Sequence, residues 1–259
     1  MNIDLNDKVA IVTGAAQGIG KTIAKRFAQE GVKLSLWDIN EEKLCETQNQ
    51  ISNIHEEIIS LKTDVGKEED IKNSIEATIK EFGTIDILVA NAGVAKPNKF
   101  LDISSDEWDD VYHINTKGVF LCSKAVAPIF KQKKNGRIII ASSFAAIIPS
   151  VDMASYSSSK AAVVSLTRVM AAELGPWNIT VNSYAPGMIP TNMSNIENLT
   201  EKRKQEMLDT LSIREWGKKD DIASLIIFLA SDQARYITGT NIDASGGKFS
   251  VQFANLARD

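Results

Sequence analysis

VAIVTGAAQGIGKTIA, residues 9–24, decides how this chain is built. Its first five residues are apolar or β-branched without a break. That pattern suits a strand buried on both faces of a parallel sheet. From Ile19 the apolar spacing turns helical and predicts a helix running to Gly31. Gly14, Gly18 and Gly20 stand between the two, with Gln17 and Ile19 at the turn. Glycine turns tightly and lets a backbone approach a diphosphate. A helix N-terminus then offers free N–H groups and positive potential to it. The spacing G-x-x-x-G-x-G is weak alone, but strand, turn and helix come in the order that gives it meaning.

The same alternation continues outward. Strands are predicted at VAIVT (9–13), KLSLW (33–37), EIISL (57–61), DILVA (86–90), RIIIAS (137–142), ITVNSY (179–184) and NIDAS (241–245). Helices are predicted over 19–31, 40–52, 67–83, 104–134, about 154–175 and 219–231, with Ile71, Ile75, Ile79 and Phe82 at helical spacing. Gly31, Gly83 and Gly175 are expected to end three of them, and Asp64 and Ser105 to cap helix starts. The rhythm predicts a single doubly wound α/β domain over 1–259, with a seven-stranded parallel sheet of Rossmann type. Residues 186–218 break the rhythm. They are too long for an ordinary connection and are read as a short helical lid over a site.

The chain's 259 residues, 44% hydrophobic and 24% charged, can build a sizeable core. A net charge of −4 argues against nucleic acid, which needs clustered basic residues. KQKKNGR (131–137) reads as a solvated helix end. Cys45 and Cys122 show neither disulfide nor zinc spacing, so a reducing, cytoplasmic setting is expected. His55 and His113 lie far apart, and no metal site is expected. No signal-peptide pattern is read at MNIDLNDKVAIVTG, and no run is long enough to span a membrane.

The second strand ends in KLSLWDIN. Asp38, followed by Ile39, lies where an acid can bind the adenosine ribose hydroxyls. A carboxylate there repels a 2′-phosphate, and positions 15–17 hold no Arg or Lys. NAD is therefore expected, with NADP disfavoured. In ASYSSSKAAVVSL (154–166), Tyr156 and Lys160 share a helix face at i and i+4. A free phenol near pKa 10 is a poor base near neutrality. A nearby ammonium favours the phenolate, so Tyr156 is expected to be a general acid/base tuned by Lys160.

The motifs in sequence resemble the classical short-chain dehydrogenase/reductases along nearly the whole chain. They are TGAAQGIG (13–20), NAG (91–93), HINTKGVF with Asn115, IIIASSFA with Ser143, YSSSK (156–160) and YAPGMIPTNM (184–193). The resemblance implies that Asp64 and Val65 contact the adenine, and that Asn91, Ala92 and Gly93 run along the cofactor. It places Pro186, Gly187, Ile189 and Thr191 near the nicotinamide. It has Lys160 also hold the nicotinamide ribose, Ser143 bond the substrate oxygen, and Asn115 support a water linking Lys160 to solvent. It implies a homotetramer or homodimer, with the C-terminal Phe249, Val251, Phe253 and Leu256 suited to a neighbour or to their own domain. Lys219 stands where a Pro is common, a departure read as touching a loop rather than the chemistry.

The expected activity is hydride transfer between NAD(H) and a secondary alcohol or ketone, a small molecule of polyol, sugar or acetoin type. The pocket is expected to use 94–97, 144–153, 184–193 and the lid, with Ile147, Ile148, Val151, Met153, Tyr184 and Met188 making it apolar and Asp152 among its few charges. Two alternatives are an NADPH-dependent 3-oxoacyl-(acyl-carrier-protein) reductase and a catalytically idle dinucleotide-binding sensor.

Overall fold

The computed structural model describes residues 3–194, 196–248, 250, 251 and 254. Seven strands form one sheet: β1 (Val9–Thr13), β2 (Lys33–Asp38), β3 (Ile58–Lys62), β4 (Ile87–Ala90), β5 (Gly136–Ala141), β6 (Ile179–Pro186) and β7 (Asn241–Ala244). All pairs are parallel, in the order β3-β2-β1-β4-β5-β6-β7. The chain therefore winds away from β1 in both directions, and β1 and β4 part at their C-terminal ends. That parting is where open parallel sheets leave a crevice for ligands.

The continuous apolar runs serve two cores at once. Val12, Leu34 and Leu36 face one side, with Ile23 and Phe27 of α1 (Gly18–Gln29), Leu44 of α2 (Glu41–Ser52) and Ile226 of α8 (Lys219–Ala230). Their neighbours Ile11, Trp37 and Leu88 face the other. There they meet Ile75 of α3 (Glu68–Phe82), Val126 and Phe130 of α5 (Val119–Lys133) and Val163 of α6 (Ala154–Leu174). Each such fully buried aliphatic or aromatic side chain contributes roughly 1.5–3 kcal/mol.

The helix expected over 104–134 is three pieces. α4 (Ser105–Tyr112) is capped by Ser104, not Ser105: Ser104 Oγ accepts the Glu107 N–H, and the Glu107 carboxylate accepts the Ser104 N–H. A π-helical turn, His113–Gly118, then joins α4 to α5. Such turns are frequent at functional sites. Asp64 does not cap α3, whose N-cap is Lys67. Gly83 ends α3 in the left-handed region as expected, and Gly31 has φ +73° after α1. Gly175 does not end α6 that way. Its φ is −52°, a further 3₁₀ turn follows, and Asn178 takes the left-handed position.

Residues 186–218 hold a 3₁₀ turn, Ile196–Asn198, and α7 (Glu201–Leu208). Met188, Ile196 and Leu211 are buried together there, with Phe144, Met207, Leu208 and Trp216 packed around them. The insertion thus carries its own small core. Among the described residues, no helix is long and apolar enough to cross a membrane, and no group of three metal-binding side chains occurs. Phe249, Phe253 and Leu256 lie outside the described residues; Val251 is exposed.

Candidate active site

A cleft of about 800 Å³ opens where β1 and β4 part. Gly14, Gln17, Gly18, Ile19 and Gly20 line one end with Asp38, Ile39, Asp64 and Val65. Gly14 and Gly18 sit at φ +66° and +60°. A Cβ on Gly20 would lie 2.1 Å from the Gly14 carbonyl oxygen, so no side chain can replace that backbone surface. Asp38 accepts the Ala16 N–H at 3.0 Å through Oδ2 and the Asn40 N–H at 2.9 Å through Oδ1. These bonds fix the carboxylate beside the glycine turn. The Asp64 Oδ1 accepts the Gly66 N–H, and its other oxygen pairs with Lys67 at 3.6 Å. A bare backbone cradle at a helix start, with a fixed carboxylate beyond it, fits a dinucleotide with free ribose hydroxyls.

The centre of the cleft is held across the sheet. Thr13 Oγ1 accepts the N–H groups of Asn91 (3.0 Å) and Ala92 (2.9 Å). Asn91 Nδ2 donates to the Thr13 carbonyl at 3.0 Å, and Tyr184 donates its hydroxyl to Asn91 Oδ1 at 3.1 Å. Tyr184 is therefore a fully buried floor beneath the cleft; burial raises its pKa. Gly93 stands where a Cβ would come 3.2 Å from Asn115 Oδ1 and 3.3 Å from Lys160 Nζ.

Ser143, Tyr156 and Lys160 line one wall. Lys160 is buried, and its Nζ donates to the Ala141 carbonyl at 2.7 Å. Burial lowers its pKa to about 8. Tyr156 has its pKa raised: burial dominates, and a hydrogen bond with Ser143 opposes it. The expected lowering of the phenol by Lys160 is thus not what this structure has. Nζ lies 5.9 Å from the ring centroid, and burial of the phenol sets the direction of its shift.

Asn115, fully buried in the π-helical turn, acts as a clamp. Its Oδ1 accepts the Val94 N–H at 2.8 Å, and its Nδ2 donates to the Val94 carbonyl and to Ser159 Oγ. Both Nδ2 hydrogens are taken, so only the second Oδ1 lone pair is left to meet solvent.

Pro186, Gly187, Ile189 and Thr191 line the remaining side. A Cβ on Gly187 would meet Ser245 at 2.5 Å, and the Thr191 methyl lies 4.0 Å from the Cβ position of Gly18. The substrate end differs from expectation. Met153 and Met188 line it, as do Val94, Ala95 and Pro97, but Ile147, Ile148, Val151 and Asp152 do not. Their loop turns outward; Asp152 takes φ +63° and gives its carbonyl to Asn98 N–H. Phe144 and Met193 from the expected ranges line it, with Ile196 and Met207 from the lid. Lys219 stands in the first turn of α8 rather than in the loop before it, and it lines the cleft.

A family model described as Enoyl-(Acyl carrier protein) reductase matches residues 14–248. The 3-oxoacyl-(acyl-carrier-protein) reductase of Staphylococcus epidermidis is 36% identical over 244 residues, 94% of this chain and 99% of that one. This chain belongs to the classical short-chain dehydrogenase/reductases. It is an oxidoreductase of that family. Among solved structures, a short-chain type dehydrogenase/reductase from Mycobacterium marinum superposes with a TM-score of 0.89 at 30% identity, covering 96% of this chain and 98% of that one. A 3-ketoacyl-(acyl-carrier-protein) reductase from Brucella melitensis, complexed with NADH, superposes at 0.88 with 32% identity, covering 95% and 99%. The family binds a nicotinamide dinucleotide, and the bare glycine cradle of this chain has room for one.

Proposed function

We propose that this short-chain dehydrogenase/reductase interconverts a ketone and a secondary alcohol with NAD(H), and that the carbonyl carbon carries an apolar group. The observation behind it is the single wall on which Ser143, Tyr156 and Lys160 border the dinucleotide cleft. The nicotinamide, when bound, supplies or accepts the hydride. The chain's own residues manage the proton and the geometry.

With its pKa raised, Tyr156 is protonated across the neutral range and poised to give its proton to a carbonyl oxygen. Ser143 sits beside it to donate a second hydrogen bond to that oxygen as charge develops. Lys160, pKa about 8, is mostly charged at pH 7 and holds positive potential behind the phenol. That potential aids removal of the proton in alcohol oxidation. Asn115 positions this wall by tying Val94 to Ser159, the residue next to Lys160. Asp38 presents its carboxylate where a 2′-phosphate would stand, which supports NAD(H).

Phe144, Met153, Met188, Met193, Ile196 and Met207 make the substrate end largely apolar, with Ser150, Asn192 and Ser194 as its polar members, which favours an apolar ketone. The second reading is reduction of a 3-oxoacyl thioester, favoured by the Staphylococcus relative. NAD(H) preference does not oppose it, because the Brucella reductase is a complex with NADH.

Initial rates with NADH and NADPH on diacetyl, apolar ketones, keto-sugars and an acetoacetyl thioester decide between them. Faster NADH turnover of an apolar ketone supports the first reading; faster turnover of the thioester supports the second. Tyr156→Phe should cut turnover by about 10²–10⁴-fold and leave NADH binding unchanged by fluorescence titration. Retained turnover would remove Tyr156 from the mechanism.

A further inference from the structure

Five large apolar side chains stand in water beside the cleft. Leu101 is 91% exposed, Val151 89%, Phe100 74%, Ile147 52% and Ile148 47%. Single exposed apolar residues are ordinary, whereas a group of them marks a surface that meets something apolar. These five belong to two loops joined by a seam. The Asn98 N–H donates to the Asp152 carbonyl at 2.8 Å, and Asn98 and Met153 form a parallel bridge. Asn98 Nδ2 donates to the Asp102 carbonyl at 3.2 Å, which fastens the turn that carries Phe100 and Leu101.

The seam abuts the cleft. Pro97, one residue before Asn98, lines it, and so does Met153, its bridge partner. Phe144 and Met153 thus line the cleft on the inner side of the seam. On its outer side, exposed Val151 lies two residues before Met153 on one loop, and exposed Phe100 and Leu101 follow Asn98 on the other. Lys99, Asp102 and Asp152 stand exposed at the edges of these loops, and Lys96 pairs with Asp110 at 2.6 Å.

We infer that this lip seats the apolar tail of the substrate, an alkyl or alicyclic chain leading from the carbonyl at Tyr156 past Met153 onto Leu101 and Val151. The inference rests on the carbonyl-reducing reading above and adds the length of the substrate to it. A long ketone and a long 3-oxoacyl thioester present the same tail, so the lip selects for chain length and not for the head.

The test is the rate of NADH oxidation with 2-butanone, 2-heptanone and 2-nonanone, for the wild type and a Leu101→Ser, Val151→Ser double variant. Both positions are exposed, so the variant should fold. Each methylene that reaches the lip should raise wild-type kcat/KM by up to about fourfold, mainly through KM. The variant should lose roughly tenfold or more on 2-nonanone, by the same area arithmetic, and stay within about twofold on 2-butanone. An equal chain-length gain in both proteins overturns the lip, as does turnover without any gain in the wild type. If none of the ketones turns over, the activity reading fails separately. Calorimetric binding of 2-nonanol then decides: tighter binding to the wild type supports the lip, equal binding overturns it. A smaller assembly for the variant on gel filtration would assign the patch to a second copy of the chain and overturn the inference.

Discussion

Tyr156 and Lys160 shift in opposite directions for one reason: burial disfavours the charged form of each, raising an acid and lowering a base. The wall is therefore set for donating a proton to a ketone before any ligand arrives. A cofactor's positive ring would add to Lys160 in pulling the phenol down for the reverse reaction. At the same scale Lys219 is a loose cation. It lines the cleft from the first turn of α8, close to Ile189, against whose side chain Gly217 packs. Among the described residues it has no ion-pair or hydrogen-bond partner, while its neighbour Asp220 pairs with Arg26 of α1. Lys219→Ala should weaken NADH binding about fivefold at low salt. The difference should shrink toward nothing near 1 M salt, where screening acts within about 3 Å. Fluorescence titration at two ionic strengths checks it; equal affinity at low salt would remove Lys219 from cofactor binding. The motif residues could be found by spacing, because their chemistry demands fixed residue types. Lys219 could not, because its place depends on how α8 packs against α1.

The elements show why some boundaries were legible and others were not. The central strands could be read from continuous apolar runs, since both faces of each are buried, whereas the edge strands β3 and β7 are only partly buried. Their observed ends move by only a residue or two. The π-helical turn left no such trace, since the apolar spacing of 104–134 carries straight through it. Its cause is tertiary: Asn115 must reach Val94 and Ser159, and Gly118 must pass Val65. A Cβ on Gly118 would come 2.9 Å from Val65 Cγ2 and 3.2 Å from the Val65 carbonyl oxygen. Gly118→Ala should thus push Val65, a wall of the cleft's far end, off its place. Alanine suits a helix better than glycine by roughly 1 kcal/mol, so thermal stability should fall little while NADH affinity drops several-fold. A loss confined to melting temperature, with affinity intact, would show that the segment yields elsewhere. The same logic explains Ile147, Ile148 and Val151: their apolar character predicted a wall, but the seam from Asn98 turns their loop outward.

At the scale of the molecule, the cleft is stored cost. The sheet and its two cores hold Lys160 where its charge is penalised, with one carbonyl at 2.7 Å as its partner. Its folded pKa of about 8 lies below the ordinary lysine value of 10.5. Between those values the unfolded chain binds the proton and the folded chain does not. Stability should therefore rise with pH from about 8 upward, the reverse of a lysine that gains an acidic partner. The full difference is on the order of 3 kcal/mol. Near pH 10 the rise should meet opposition, because Tyr156 and Tyr184 have raised pKa values and resist ionising in the fold. Lys160→Met removes the titrating group and keeps an unbranched side chain. It should flatten the curve between pH 8 and 10 and be more stable than the wild type at pH 7. Urea unfolding of both proteins across pH 7–10 measures this. Parallel curves would mean that the fold stabilises the Lys160 charge as well as water does. The wall would then owe its proton chemistry to the bound cofactor, not to burial.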